Sequence, residues 1–443
     1  MHLKMTLCVW ALALALLSAC YLEACTPNPE ETGTPQMPAC DTTRIPIVFV
    51  HGFLASGDTY ATQIQRFTSN GYCSNALFVF DWNTLNNQGE AVAILDAFID
   101  RVRGLTGAAQ VHLAGHSAGG GLCYNYLSNA ERASKVARYV HIGSGRQARP
   151  AGPNGEIPTL NLWSEGDKVV AGGDIPGAEN KRFGDLDHYQ VATSELPFAA
   201  MYAFFNQEQQ PTTTAVLEEK SVTLAGRVVT LGENQAIAQA SIHIYEVDAA
   251  TGKNLRSTPD AVLSSDTNGN WGPWAGKPGT RYMFQVRTPN TADRTILYYR
   301  EAFVRSNAYI YLRIFPPPTS LAGLLLAGVP ADDKQSVVTI FSANQAVIHN
   351  RDVLQVNGFD LATPQYASAA RTSIAFFLYD NGDQQSSGNT HPAFGFLQTF
   401  LTGVDYFIPT ESAAPVRLQF NGRTLNVPNW KSKTDGVVVA VFD

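Results

Sequence analysis

The stretch "VHLAGHSAGGGLCYN", residues 111–125, decides how the first half of the chain is read. Val111, Leu113 and Ala114 form a short apolar run that suits a buried strand, small residues follow, and residues 121–128 carry helical spacing. Ser117 stands at the corner, inside Gly115-His116-Ser117-Ala118-Gly119. With 36 glycines in 443 residues, this G-x-S-x-G pattern alone arises by chance in roughly one of four or five such chains. The strand-to-helix setting gives it weight. A nucleophile elbow needs a serine on a sharp, strained turn, and flanking glycines relieve contacts between turn, helix and neighbouring strand.

Outward from that corner, strands are predicted at 45–50 ("IPIVFV"), 77–82 ("LFVFDW"), 110–114, 137–142 and 159–163. Helices are predicted at 59–68 and at 89–102, the latter with Val92, Leu95, Phe98, Ile99 and Val102 on one face, and a closing helix ends at 201–205. Strand and helix alternating in this way predict an α/β fold, a mostly parallel sheet with helices on both faces. After the linker "NQEQQPTTTA" (206–215) helical periodicity fades. Alternating runs such as "ASIHIYEV" (240–247), "YMFQVRT" (282–288) and "AYIYLRIF" (308–315) predict a β-sandwich. Within it "SDTNGNW" (265–271) resembles the turn of carboxypeptidase-regulatory-like domains. The proline triplet at 316–318 marks a further boundary before a β-rich end. The expected organisation is an export signal at 1–19, a tether at 20–40, a catalytic domain at 41–207, a β-sandwich at 216–315 and an all-β C-terminal domain at 319–443.

Length favours several domains, and composition is ordinary for a globular protein, with 45% hydrophobic and 16% charged residues. A net charge of -7 argues against nucleic acid as a partner. Residues 1–4 carry a positive charge and residues 6–19 are almost wholly apolar, the pattern of an export signal. It ends in "LLSAC", which resembles a bacterial lipoprotein processing box. Lipidation of Cys20 would tether the protein to an outer membrane or cell surface, whereas ordinary cleavage nearby would release it as a secreted protein. Export places the cysteines in an oxidising compartment. Cys40 and Cys73 both precede strand-like runs expected to be sheet neighbours, so they are the favoured disulfide pair, and Cys123 is expected as a buried free thiol. No Cys/His spacing suggests zinc, "YDNGDQQ" (379–385) reads as a hairpin turn rather than a calcium loop, and no cofactor is expected.

A nucleophilic serine needs a base. His51 sits in "VHGF" and shapes that loop, His112 and His141 lie in strands, and His116 is on the wrong side of the turn. His188, in the loop "FGDLDHYQV", remains as the base. Asp167, after the strand at 159–163, stands at the carboxyl edge of the sheet, where sites of open α/β sheets assemble, and is the favoured acid. Asp185, Asp187 and Asp174 are competitors, the first two closer to bracing the histidine loop. The amides of Ala118 and Phe53 are placed to bind an oxyanion.

The order Ser117, Asp167, His188, with "HGF" upstream and "GHSAG" at the elbow, resembles the α/β-hydrolase superfamily and within it bacterial and archaeal triacylglycerol lipases, over about residues 45–205. The resemblance implies an ester hydrolase working through an acyl-enzyme. It also implies medium or long acyl chains, since short-chain esterases more often carry a glycine run at the oxyanion loop. Some members use a C-terminal β-domain to help form the acyl site. Here Phe394, Phe396 and Leu397, in the apolar segment 391–407, are candidates to line it. Neither "NTLNNQG" after Trp82 nor residues 143–158 has the amphipathic pattern of a lid. A polyester depolymerase, a short-chain carboxylesterase and a non-catalytic surface-binding lipoprotein are the alternatives.

Overall fold

The four residues of β1 (Ile47–Val50) are all buried, and successive side chains serve opposite faces of a sheet. Ile47 and Phe49 join a core with Ile64 and Phe67 of helix α1 (Ala61–Ser69). Val48 and Val50 join another with Leu95, Ile99 and Val102 of helix α2 (Gln88–Thr106) and with Leu122 and Tyr126 of helix α3 (Ala118–Leu127). Helix α4 (Glu195–Phe205) closes the first face with Phe198, Met201 and Phe205. A strand covered on both faces has no polar alternation, which is why "IVFV" reads as it does.

The computed structural model describes residues 40–85, 88–397 and 400–443. The positions of Cys20 and of the expected export signal lie outside these residues. Among the described residues, no helix is long and apolar enough to cross a membrane. β1 belongs to a six-stranded sheet with β2 (Leu77–Phe80), β3 (Val111–His116), β4 (Val136–Ile142), β5 (Thr159–Ser164) and β6 (Glu179–Phe183), in the order β2-β1-β3-β4-β5-β6 and parallel throughout. Helix α3 begins at Ala118, directly after the serine and three residues earlier than its spacing predicts. β6, "ENKRF", was not legible as a strand because it is an edge on which only Phe183 is buried. Cys40 and Cys73 are disulfide-bonded, tying together the segments that lead into the paired strands β1 and β2. Cys123 is free and buried on α3.

Downstream, two β segments share one sheet across the proline triplet at 316–318. Its eight strands run Leu401–Asp405, Ala375–Tyr379, Val338–Ser342, Val437–Phe442, Ile296–Arg300, Tyr282–Arg287, Ser241–Glu246 and Ala261–Ser264. The strand "VVVAVF" (Val437–Phe442) pairs in parallel with Ile296–Arg300 on one side and Val338–Ser342 on the other. Such an apolar run is satisfied only at the centre of a sheet, and this one joins residues expected in separate domains into a common core. The described residues form one compact unit.

Between the α/β layer and the β segments lies a charged seam. Arg313 forms a bidentate pair with Asp58 at 2.9 and 2.6 Å, and Tyr311 donates to Asp81 at 2.5 Å. Asn234, only 8% exposed, reaches into the loop after β1. It donates to the carbonyls of Ala55 (2.8 Å) and Trp82 (3.2 Å) and bonds the Ser56 hydroxyl.

Candidate active site

Ser117 joins β3 to α3 with φ 54° and ψ -122°, a left-handed conformation that costs a non-glycine residue about 1–3 kcal/mol. Its surroundings impose that conformation. The Ser117 amide donates to the Ile142 carbonyl at 2.9 Å, and the Ser117 carbonyl accepts the Ser144 hydroxyl at 2.7 Å and the Gly120 amide at 2.9 Å. Three glycines make room. A Cβ on Gly119 would lie 2.5 Å from the carbonyl oxygens of Val50 and His51, one on Gly115 would meet the Gly119 carbonyl at 2.7 Å, and one on Gly120 would meet Ser144 at 2.6 Å. On the opposite side, a Cβ on Gly52 would lie 2.9 Å from Ser117 Cβ, so the "HGF" loop rests against the serine. Ala118 opens helix α3, where the first amides have no intrahelical acceptor and the helix end is electropositive.

His188 is 2% exposed, and its Nδ1 lies 2.7 Å from Asp167 Oδ2. An ionised carboxylate only accepts, so Nδ1 carries the hydrogen and Nε2 is left as the basic nitrogen. Asp167 Oδ1 accepts the amides of Val169 and Val170 at 2.8 and 3.0 Å. Burial by itself would raise this carboxyl, but the hydrogen bond and charge of His188 and those two amides outweigh it and hold it below the ordinary carboxylate range. Ser117, Asp167 and His188 thus follow the carboxyl ends of β3, β5 and β6, three strands whose parallel direction brings their ends to one edge.

His116 fixes the histidine loop. Its Nε2 donates to the His188 carbonyl at 2.9 Å, and the two rings lie 4.6 Å apart. Burial first, then the neighbouring His188, push His116 down to about 3, so it stays neutral. His51 is used internally, with Nδ1 donating to the Gly52 carbonyl and Nε2 accepting the Trp82 amide. Of the competing carboxylates, Asp174 accepts the Trp163 indole at 2.9 Å. Asp187 caps its own loop, accepting the amides of Tyr189 and Gln190 at 2.9 and 3.0 Å.

Beside the site, an apolar cavity is lined by Leu54 from the oxyanion loop, Tyr189 next to His188, and Ile374, Phe377, Phe400 and Leu401 from the β-rich end. The ring of Phe400 stands 6.4 Å from Phe53 and 6.3 Å from Tyr189. Phe394 is placed elsewhere. It packs on Phe377 at 4.7 Å inside the shared β core, because Gly403 leaves the slot its ring occupies: a Cβ there would lie 2.4 Å from the ring. The side chains of Phe396 and Leu397 lie outside the described part. Phe400 and Leu401 belong to the same apolar segment, 391–407, as Phe394, Phe396 and Leu397. Ser144, Asn234 and Arg351 went unnoticed, since each acts through contacts distant in the chain.

A family model described as Lipase (class 2) matches residues 44–133, one described as Lipase C-terminal domain matches 220–317, and a further C-terminal-domain model matches 331–443. Among solved structures, the chain is similar to the lipase BlEst2 of Bacillus licheniformis, at 17% identity over 39% of this chain and 96% of that one, with TM-score 0.32. It is also similar to the esterase RhEst1 of Rhodococcus sp., at 15% identity over 39% and 94%, TM-score 0.31. A third likeness is to the carboxylesterase CesB of Bacillus subtilis, at 14% identity over 38% and 85%, TM-score 0.29. The class 2 lipase match covers β1 to β3 and the elbow of the parallel sheet, and the lipase C-terminal match covers β strands after it, which together support a lipase-like α/β-hydrolase with C-terminal domains.

Proposed function

We propose that the protein hydrolyses carboxylic esters of medium or long acyl chains through an acyl-enzyme on Ser117. The observation that carries this reading is a serine at φ 54° against the oxyanion loop, with a His188–Asp167 pair at 2.7 Å following the neighbouring strands at the same edge of the sheet. His188 Nε2 takes the Ser117 proton as Oγ attacks the ester carbonyl, Asp167 holds the imidazolium, and the amides of Phe53 and Ala118 bind the oxyanion. The alcohol leaves with the proton from His188. Water, deprotonated by the same imidazole, then attacks the acyl-enzyme, releasing the acid and restoring the Ser117 hydroxyl.

The cavity supports an apolar acyl group. Asp58 and Arg313 at its wall neutralise each other, Ser56, Thr59 and Thr339 add hydroxyls, and most of the remaining lining is hydrocarbon and aromatic. A p-nitrophenyl ester series from acetate to palmitate, followed by triolein, tests the reading. Rates rising toward longer chains with triolein cleaved are expected. Preference for acetate and butyrate would move the assignment to a short-chain carboxylesterase, and soluble acid released from a polyhydroxyalkanoate film would move it to a polyester depolymerase. The N-terminal sequence supports export with a lipid on Cys20, and mass measurement of the mature protein beside Cys20→Ala tests that tether.

A further inference from the structure

We propose that Arg351, in the β-rich C-terminal region, is a positioning residue for the histidine of the α/β layer. This rests on the reading of His188 as the base. Asp187, adjacent to His188 and 2% exposed, uses one oxygen to cap the turn that carries the histidine. Its other oxygen is held from across the seam, by Arg351 Nη2 at 2.9 Å and by the Ala346 amide at 3.1 Å. Arg351 Nη1 also donates to Gln190 Oε1 at 3.0 Å, and that same oxygen accepts the Asp187 amide at 3.1 Å. The guanidinium therefore closes a ring around the residues on both sides of His188.

The arginine is itself fixed. Its Nε donates to Asp352 Oδ2 at 2.9 Å, and Nη2 donates to the Ala346 carbonyl at 2.5 Å. Asp352 is anchored in turn by Gln345 (2.8 Å), the Ile348 amide (2.8 Å) and Asn421 (2.9 Å). A second tie lies one turn on, where the Thr193 hydroxyl donates to the Asn344 carbonyl at 2.5 Å. Residues 344–352 thus form a rigid clamp whose one forked side chain reaches a buried carboxylate beside the base. A fork suits this task and a point charge does not, because four acceptors, on Asp187, Gln190, Ala346 and Asp352, are met at once. Losing the fork leaves Asp187 buried without its counter-charge, and the turn bearing His188 must shift or loosen. Misplacement of a reacting group by about 1 Å costs on the order of a hundredfold in rate.

The test uses the full chain with p-nitrophenyl butyrate, under conditions where circular dichroism shows each variant folded. Arg351→Met is expected to lower kcat about ten- to a hundredfold while KM stays within about twofold. Arg351→Lys, which keeps the charge but not the fork, should lose about three- to tenfold. Asp187→Asn/Arg351→Met should be no slower than Arg351→Met, because both act through one contact. If Arg351→Met yields no folded protein, Arg351→Lys and Asp187→Asn carry the same comparison. Wild-type kcat in Arg351→Met or, failing that, in Arg351→Lys, a change confined to KM, or losses that multiply in the double variant would overturn the inference. His188→Ala separates the two levels: if it remains active, the hydrolase reading itself fails, whereas an inactive His188→Ala beside a fully active Arg351 variant sinks only the positioning role.

Discussion

At Asp167 the decisive quantity is the tautomer of His188. The carboxylate can only accept from Nδ1 at 2.7 Å, so the lone pair stays on Nε2, facing away from the acid. Asp167→Asn reverses this, since an amide that donates to Nδ1 forces the hydrogen onto Nε2. A fall in kcat on the order of 10⁴ is expected, with KM little changed, in a p-nitrophenyl ester assay. Because the Asp167 carboxyl is depressed, its stabilising contribution is present above the ordinary carboxylate range and is lost only as pH falls through the lower folded value. These residues were legible because each is a reactive type with few rivals: five histidines stand in the α/β region and only His188 lies in a loop past the last helix-strand units. Ser144 and Arg351 were not. A serine after β4 and an arginine in a β-rich segment carry no local pattern, and their meaning comes from partners 27 and 164 residues away, at Ser117 and Asp187.

At the scale of the element, the elbow separates glycines that are needed from one that is not. The run at positions 119–121 reads uniformly in sequence, yet a Cβ on Gly119 would strike two backbone carbonyls at 2.5 Å, whereas one on Gly121 meets nothing within 4 Å. Gly119→Ala is expected to destabilise by about 1–3 kcal/mol and to displace the oxyanion loop, because backbone cannot yield as a side chain can. Gly121→Ala, on the exposed side of α3, is expected to stabilise by up to about 1 kcal/mol from helix propensity alone, with activity unchanged. Urea midpoints and kcat for the two variants check both signs. Strand and helix positions came through in sequence wherever burial is two-sided or one-faced, as in β1 and α2. The polar edge strand β6 did not, and the slot that takes the Phe394 ring into the β core was not readable because Gly403, which makes room for it, lies on the next strand.

For the whole molecule, buried neutral histidines set the response to acid. Burial, with Arg138 next for His112, pushes His112 down to about 3, His116 also to about 3 and His141 to about 4, and it lowers His51 as well. The unfolded chain takes up these protons near 6.5 and the folded one does not, so stability is full above that value and falls as pH drops below it, until the folded groups titrate. Each such histidine contributes about 1.4 kcal/mol per pH unit within that window. Urea unfolding between pH 7 and 5 is expected to show steeply falling stability, with at least three protons taken up on unfolding at pH 5. A flat profile would mean these rings are solvated. The seam ties the α/β layer to the β segments, since Asp58, Asp81 and Asp187 all find cationic partners there. Sequence composition marked where the segments meet but not that "VVVAVF" joins them, because strand pairing across 141 residues leaves no trace in either run.

The central claim is that Ser117 is a nucleophile driven by His188. Treating the full chain with a fluorophosphonate and locating the adduct by mass spectrometry tests it most directly. A single phosphonyl group on Ser117, absent in Ser117→Ala together with all ester hydrolysis and formed far more slowly in His188→Ala, is the expected result. An adduct on another residue, or hydrolysis that survives Ser117→Ala, would contradict the account.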